Sequence, residues 1–203
     1  MSIFLVRHAE TPWNAARIVQ LPEIALSERG LAQAERLAAR LAALGIARIL
    51  SSDLTRARMT ADRIQASTGA PLESEPLLRE RDFGDIRGTP YADLAVDIFG
   101  PDFVPPRGES WARFHVRVDL AWEQVTRVAS ATAGNLVVVT HGLVCRSLAE
   151  RRLERGGAAP PLAWANTSLT EIDATPPWRV RRMNCTAHLE GAADDPSEPP
   201  GPV

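Results

Sequence analysis

The sequence predicts an α/β protein, a three-layer αβα sandwich around a mostly parallel central sheet. Three short apolar runs, at 3–6, 48–51 and 136–140, have the length and composition of strands that are buried on both faces. Segments in which apolar residues recur at helical spacing lie between these runs. Because strands alternate with helices along the chain, the pattern favours parallel strands joined by crossover helices.

Two helices are predicted in the first half of the chain. Ser27 is a suitable N-cap for the first helix, which we expect to end at Gly45. Gly69 and Pro71 are expected to end the second helix. The apolar positions recur at every third or fourth residue: Leu31, Ala34, Leu37, Leu41 and Leu44 in the first helix, and Leu54, Ala57, Ala61 and Ile64 in the second.

The second half of the chain predicts two more helices and two more strands. A long helix is expected after Ser110, and another helix over about 143–154. Strands are expected around 170–172 and 179–183, separated by a Pro-Pro pair, and they look like a hairpin at the sheet edge. The apolar face of the long helix is formed by Trp111, Phe114, Val118, Ala121, Val125 and Val128.

The length of 203 residues fits one domain, which we place at residues 1–190. A lid-like insertion is expected at about 85–110, where the proline-rich loop 100–108 would line or cover a site. The segment 191–203 holds four prolines and three acidic residues, so we expect a disordered tail there.

The composition excludes several classes of chemistry. All 23 cationic residues are arginine, so no lysine is available for a Schiff base, a pyridoxal phosphate anchor or a Walker-type phosphate loop. A net charge of −2 gives no reason to expect a nucleic-acid partner. The two cysteines form no C-x-x-C pair, which excludes a thiolate zinc site. The apolar run at 3–6 is too short for a signal peptide or a membrane span, and we expect a cytoplasmic protein with no membrane partner.

Two histidines follow predicted strands directly. His8 follows Arg7 at the end of the first strand, and His141 precedes Gly142 at the end of the strand at 136–140. A single histidine in such a place is more often a structural residue than a functional one. Ligands of open parallel sheets bind beyond the carboxyl ends of the strands, however, and two histidines at two such ends favour a common site.

Two further segments carry charged residues that are weak signals on their own. Arg56 lies in the first turn of a predicted helix, where free backbone N–H groups and the helix dipole favour anions. Glu80 lies in a loop-like run, Leu78 to Gly84, that is dense in charge. Taken alone, the first would be an exposed helical arginine and the second a solvated turn.

Taken together, these segments resemble the histidine phosphatase superfamily, the phosphoglycerate mutase-like family, and particularly its bacterial phosphatase branch. The family pattern R-H-G-E-T-x-W-N is similar to residues 7–14, and S-S-x-L-x-R-A-x-x-T-A is similar to residues 51–61. The patterns L-x-E-x-x-x-G and V-x-H-G match 78–84 and 139–142, and a G-E-S segment stands at 108–110. The resemblance covers about residues 3 to 185 and implies one histidine phosphatase domain with the phosphoglycerate mutase-like fold.

The chain departs from the family pattern in two places. Ala9 replaces the usual glycine, which matters only if this position needs a positive φ. The family's Q-G-x-x-D-x-P-L segment is here residues 20–26, without its glycine, aspartate and proline. The second departure removes any basis for borrowing substrate specificity through this loop, although it leaves the candidate catalytic positions unchanged.

The resemblance implies a role for each matched residue. His8 would be the nucleophile that forms a phosphohistidine, with its other ring nitrogen donating to a backbone carbonyl. Glu80 would be the general acid and then the general base, a role that needs a raised pKa. The phosphoryl oxygens would be bound by Arg7, Asn14, Arg56, His141 and Gly142. The arginines would supply the positive charge, so we expect no metal and no cofactor.

The predicted activity is hydrolysis of small phosphate esters. Phosphoglycerate mutases of the family carry a long insertion between the glutamate and the second histidine, whereas Glu80 and His141 are only 61 positions apart here, which favours a phosphatase. A phosphoglycerate mutase-type phosphotransferase is the alternative, and a non-catalytic domain that binds phosphorylated ligands is a weaker one. The sequence carries no signal for an oligomeric state.

A cysteine-dependent phosphatase is a further alternative, because Cys145 and Arg151 have C-x-x-x-x-x-R spacing. The residues between them lack glycine and favour a helix, so we expect Cys145 to be a packed helix residue. The other two histidines have no metal-ligand spacing, and we interpret His115 as a helix residue and His188 as part of a frayed end.

The substrate is left open by the sequence, but two groups of residues bear on it. Three arginines are candidates for binding a second anionic group on the substrate: Arg81, Arg87 and Arg107. Four aromatic residues could contact an apolar leaving group or pack a short lid: Tyr91, Phe99, Phe103 and Trp111.

Overall fold

The computed structural model describes residues 1–190, and these contain one six-stranded sheet. The strands are β1 (Ser2–Arg7), β2 (Ile46–Ser51), β3 (Leu72–Ser74), β4 (Asn135–Thr140), β5 (Leu169–Asp173) and β6 (Val180–Cys185). Their order across the sheet is β3-β2-β4-β1-β5-β6. Neighbours among β1 to β4 are parallel, and β5 is antiparallel to both β1 and β6. The predicted mostly parallel sheet and its edge hairpin are therefore confirmed.

Helices cover both faces of the sheet, as a three-layer sandwich requires. They are α1 (Pro12–Ala15), α2 (Glu28–Ala42), α3 (Thr55–Thr68), α4 (Trp111–Ser130) and α5 (Gly142–Arg151). Alternate residues of each central strand face opposite layers: Phe4, Val6, Val137 and Val139 pack with α2 and α3, whereas Ile3, Leu5, Leu136 and Val138 pack with α4 and α5. This alternation places both cores against the same strands.

The helix starts agree with the sequence better than the helix ends do. The side chain of Ser27 accepts a hydrogen bond from the Gly30 N–H at the start of α2, and Ser110 caps α4 in the same way. Gly69 ends α3 with φ at +70°, as expected. The predicted end of α2 at Gly45 is wrong, because the helix stops at Ala42.

The predicted end of α5 is also wrong, since this helix stops at Arg151 and not near residue 154. The backbone of Glu154 pairs with Trp178 and Val180, which draws the chain out of the helix and onto the sheet edge beside β6. Two short elements were not predicted, α1 and β3. Neither is long enough to show a periodic pattern.

The segment at 85–110 contains short 3₁₀ turns at Gly84–Ile86 and Tyr91–Asp93, and its 100–108 stretch has no helix or strand. Ile98 is buried, and Phe99, Phe103 and Trp111 pack against the core beneath α4 and α5. These contacts favour the packing interpretation for the three aromatic residues. The predicted disordered tail at 191–203 lies outside the described residues. Within residues 1–190, no helix combines the length and apolarity that crossing a bilayer demands.

Candidate active site

Three neighbouring strands end at the same edge of the sheet, and each is followed by a polar residue. Arg7 ends β1 and His8 follows it, Ser52 follows β2, and His141 follows β4. Backbone hydrogen bonds extend the sheet past the strand ends, from the His8 N–H to Thr140 O (2.9 Å) and from the Ser52 N–H to Val139 O (2.9 Å). The pairing of parallel strands therefore brings the two histidines together.

The imidazole of His8 is buried and held in one tautomer. Its Nδ1 lies 2.7 Å from the carbonyl oxygen of Ala9, so Nδ1 carries the proton and Nε2 is left with a lone pair. The Nε–H of Arg56 points at that lone pair over 3.2 Å. Burial, followed by the charges of Arg56 and Arg7, lowers the pKa of His8 well below its ordinary value. The lowered pKa favours the neutral imidazole at neutral pH.

His141 lies beside His8, with 5.1 Å between the ring centroids. Its Nε2 is 2.8 Å from the Oγ of Ser52, and its Nδ1 is buried without a hydrogen-bond partner in the described part of the chain. Burial, together with the charge of Arg56, lowers the pKa of His141. An unpartnered buried ring nitrogen costs free energy unless a ligand satisfies it.

Two buried guanidinium groups surround the histidines. Arg7 is 2% exposed and Arg56 is 3% exposed, and neither forms an ion pair with a carboxylate of residues 1–190. Arg7 Nη1 donates to the carbonyl of Trp164, while its Nε has no partner among the described residues. Burial lowers the pKa of Arg56 to about 10, so this group is still charged at neutral pH. Buried unpaired cations are costly, and a bound anion would offset that cost.

Glu80 supplies a carboxyl group in the same cavity. Its Oε1 accepts the N–H of Arg81 (3.0 Å), and its Oε2 accepts the N–H of Leu143 in the first turn of α5 (3.1 Å). Burial raises the pKa of Glu80 even though both hydrogen bonds and the nearby arginines oppose that shift. A raised pKa is what a carboxyl group needs in order to act as a general acid.

The cavity has a volume of about 550 Å³, and more arginines than acidic residues line it. His8, Tyr91, Gln20 and Pro22 contribute to its wall, so the segment that departs from the family pattern also borders the site. Its charged wall residues are Arg7, Arg56, Arg79, Arg81, Arg87, Arg107, Arg113 and Arg117, against Glu80, Asp82 and Glu109. This excess of arginine suits a ligand that carries more than one negative charge.

Three of the predicted phosphate-binding residues, Asn14, His141 and Gly142, are not among the residues that line the cavity. The side-chain oxygen of Asn14 accepts hydrogen bonds from the N–H and hydroxyl of Thr11, which cap α1. Gly142 is the buried first residue of α5. The next residue, Leu143, donates its backbone N–H to the carboxyl group of Glu80. Their roles as phosphate donors stay predictions.

The proposal of a second anion site at Arg81 is wrong. Arg81 is buried, and its guanidinium donates to the carbonyls of Glu109 (3.0 Å), Ile98 (3.1 Å) and Phe103 (2.6 Å). The same group lies 3.9 Å from the ring centroid of Trp111. It therefore holds the 98–109 segment in place. Arg87 and Arg107 do border the cavity, although each pairs with an acid, Asp82 and Asp85 respectively.

The arrangement at Cys145 does not support a cysteine-dependent phosphatase. Cys145 is a buried residue of α5, and burial raises the pKa of its thiol. Arg151 pairs with Asp119 at the far end of the helix. His115 lies in α4, as expected.

The interpretation of His188 as part of a frayed end is wrong. Its ring bonds both Arg40 (3.2 Å) and the hydroxyl of Thr167 (3.1 Å), which ties the chain around residue 188 to the fold. Among residues 1–190, no cluster of three or more histidine, cysteine or acidic side chains is arranged to hold a metal.

Several contacts to the site residues were not predicted. Ser52 lies within the 51–61 segment that is similar to the family pattern, but its position in that pattern does not indicate a contact with His141. The side chain of Asn166 donates to the His8 carbonyl (3.1 Å), and Trp164 contacts Arg7, although both lie more than 150 positions away. Only the fold reveals contacts between such distant positions.

Comparison with known proteins places the chain in a family. A family model described as the histidine phosphatase superfamily (branch 1) matches residues 3–186. A relative named probable phosphoglycerate mutase GpmB, from Yersinia pestis (strain Pestoides F), is 30% identical over 212 aligned positions that cover 96% of this chain and 98% of the relative.

Solved structures agree with the family match. Bacillus stearothermophilus YhfR has a TM-score of 0.79 and 27% identity, covering 93% of this chain and 99% of its own. The mycobacterial glucosyl-3-phosphoglycerate phosphatase Rv2419c, in a complex with VO3, has a TM-score of 0.77 and 25% identity, covering 91% and 99%.

The sheet order and the paired histidines at the strand ends define a phosphoglycerate mutase-like fold with a candidate site for phosphoryl chemistry. Members of the matched family are phosphatases or mutases. The chain belongs to the histidine phosphatase superfamily, branch 1.

Proposed function

We propose that the protein is a metal-independent phosphomonoesterase that hydrolyses small organic phosphate esters through a phosphohistidine on His8. The observation that carries this proposal is the unprotonated Nε2 of His8, which accepts a hydrogen bond from Arg56 and lies near two buried arginines without carboxylate partners among residues 1–190. A neutral imidazole does not repel a dianionic ester, and the arginines supply the charge that stabilises the transferring phosphoryl group.

The first step is attack of His8 Nε2 on phosphorus. An N–P bond forms, the ester P–O bond breaks, and the leaving oxygen takes the proton of the Glu80 carboxyl group. In this proposal Arg7 and Arg56, which line the cavity, bind the phosphoryl oxygens. The buried Nδ1 of His141, which has no partner among residues 1–190, provides a further donor. The carbonyl of Ala9 holds the remaining imidazole proton and stabilises the charge that develops on the ring.

The second step regenerates the enzyme. The Glu80 carboxylate accepts a proton from a water molecule as the water oxygen attacks phosphorus, and the N–P bond breaks. Inorganic phosphate leaves, while His8 returns to its neutral form and Glu80 to its protonated form. A raised pKa at Glu80 suits both directions of this proton transfer.

A phosphoglycerate mutase-type transfer is the second candidate, and the name of the Yersinia relative favours it. In that reaction the phosphohistidine would donate to a second hydroxyl group and not to water. The short separation of Glu80 and His141 supports hydrolysis, because little chain is available to enclose an acceptor.

Labelling and product analysis test the proposal. A panel of ³²P-labelled sugar phosphates, nucleotides, phosphoglycerates and aryl phosphates is assayed with EDTA present, and we expect release of inorganic phosphate and an acid-labile phosphoenzyme. His8→Ala should lose both, whereas Cys145→Ser and His115→Ala should keep them. A phosphoenzyme that forms but releases its phosphate only to phosphoglycerate would favour the mutase. Turnover that is lost in Cys145→Ser would overturn the His8 assignment.

A further inference from the structure

The guanidinium group of Arg117, a residue of α4, binds the backbone that carries Glu80. Arg117 Nη1 donates to the carbonyl oxygens of Leu77 and Arg79, both at 2.7 Å, and Nη2 donates to the carbonyl of Glu80 at 3.3 Å. Pro76–Leu78 is a 3₁₀ turn after β3, and Arg79 and Glu80 follow it. No strand of residues 1–190 pairs with this stretch, so side chains bind its carbonyl groups: Arg117, and also Thr140, whose hydroxyl donates to the Leu78 carbonyl (2.7 Å).

Glu109 fixes the orientation of that guanidinium. Its carboxylate accepts Arg117 Nε over 2.9 Å and Nη2 over 2.7 Å, a bidentate pair in which both side chains are mostly buried. The guanidinium group has five N–H bonds and makes five contacts with acceptors. The acceptors are the backbone carbonyls of Leu77, Arg79 and Glu80 and the two carboxylate oxygens of Glu109. Glu109 belongs to the G-E-S segment at 108–110, for which the proposed reaction has no other use.

We propose that Arg117, held by Glu109, is a positioning residue that fixes the Glu80 carboxyl group relative to His8. The inference rests on the proposed function, in which Glu80 protonates the leaving group. The carboxyl oxygens of Glu80 reach the N–H groups of Arg81 and Leu143 only while the 77–80 backbone stays in place. A displaced backbone would loosen both contacts and move the proton away from the leaving oxygen.

Leaving groups of different basicity separate this role from a general structural one. The value of kcat/KM reports the steps up to phosphoryl transfer to His8. In that step 2,4-dinitrophenolate leaves without a proton, whereas the more basic phenolate needs one. We expect Arg117→Lys to lower kcat/KM for phenyl phosphate by about 10- to 100-fold and to change that for 2,4-dinitrophenyl phosphate by less than about threefold. Glu80→Gln should show the same selectivity with a larger loss.

Two controls accompany the experiment. Arg127→Lys alters an arginine elsewhere on α4 and should leave both substrates unaffected. Glu109→Gln keeps the shape of the side chain and should reproduce the selectivity of Arg117→Lys to a smaller degree. If Arg117→Lys does not fold, the Glu109→Gln variant tests the positioning role in its place. An equal loss on both substrates, or no loss on either, would overturn the positioning role. If Glu80→Gln is not selective, the acid role in the proposed function fails instead.

Discussion

The hydroxyl oxygen of Ser52 lies 2.8 Å from Nε2 of His141, and both side chains are fully buried. The same oxygen accepts the N–H of Leu54 (3.3 Å), which leaves the hydroxyl proton free for the imidazole. When Ser52 donates to Nε2, the ring proton of a neutral His141 sits on Nδ1, the nitrogen without a partner among the described residues. That tautomer presents a donor to a bound phosphoryl oxygen.

Ser52→Ala should therefore lower kcat. Loss of one neutral hydrogen bond corresponds to about 1 kcal/mol, or roughly a five- to tenfold effect on the rate. Ser51→Ala is the matched control, because the Ser51 hydroxyl donates to the carbonyl of Ser52 (2.8 Å). Steady-state kinetics on both variants measures the difference. Equal losses in the two variants would show that the hydroxyl of Ser52 has no special relation to His141.

Removal of the Arg56 side chain should be more damaging. Its Nε donates to His8 Nε2 (3.2 Å) and its Nη1 donates to the carbonyl of Leu21 (3.1 Å), so the guanidinium is held in place before substrate arrives. Loss of one preorganised donor raises barriers by about 2.7–4 kcal/mol, and we expect kcat to fall by about 10²–10³-fold in Arg56→Ala. Arg58→Ala, which removes an exposed partner of Asp62, serves as the control. Rate losses of similar size in both variants would argue against a role in phosphoryl binding.

The pH dependence of kcat/KM should depend on the ionisation of both His8 and Glu80. His8 must be neutral to attack, and because its pKa is lowered, activity is expected to fall only far below the ordinary histidine range. Glu80 must be protonated to act as an acid, and because its pKa is raised, the loss of activity on the alkaline side starts above the ordinary glutamate range. Both shifts increase the fraction of molecules that combine a neutral His8 with a protonated Glu80.

Comparison of profiles with phenyl phosphate isolates the contribution of Glu80. Ionisation of the substrate is common to all variants, so the ratio of wild-type to Glu80→Gln activity cancels it. This ratio should decrease as pH rises through the pKa of Glu80. A constant ratio would mean that the Glu80 proton is not used in the rate-limiting part of phosphoryl transfer.

The features that the sequence predicts correctly are those encoded locally. The strand at 136–140 is a continuous apolar run, Ser27 and Ser110 are good helix caps, and these elements appear where expected. The convergence of His8 and His141 follows from one rule, that parallel strands present their carboxyl ends at the same edge. This rule sufficed to join two segments that lie far apart in the chain.

The features that the sequence does not predict depend on contacts across the fold. Arg81 and Arg117 look alike as charged residues, and nothing in their neighbourhoods shows that each binds three backbone carbonyls. The hydrogen bond from Arg7 to the carbonyl of Trp164 depends on where the chain between α5 and β5 runs. A guanidinium is recognised as structural or as ligand-binding only when its acceptors are known.

The contact between Gly30 and Glu10 links the start of α2 to the segment that follows His8. A Cβ atom at Gly30 would lie 2.0 Å from the carbonyl oxygen of Glu10. That carbonyl already accepts the N–H of Ser27 (3.0 Å), and the Glu10 carboxylate accepts the Ser27 hydroxyl (2.7 Å). The segment after His8 is thus packed against the first turn of the helix, and only glycine leaves room for it.

The sign of the effect of Gly30→Ala tests this contact directly. At a helix position with free space, alanine in place of glycine would stabilise the protein by up to about 1 kcal/mol. Here the methyl group must displace backbone, so we expect destabilisation of about 1–3 kcal/mol, measured by urea unfolding, and a lower kcat as the His8 segment shifts. Ala32→Gly, at an exposed position of the same helix, should cost about 1 kcal/mol through helix propensity alone and leave kcat unchanged. A stabilised Gly30→Ala variant with normal kcat would show that α2 does not restrain the segment that carries the nucleophile.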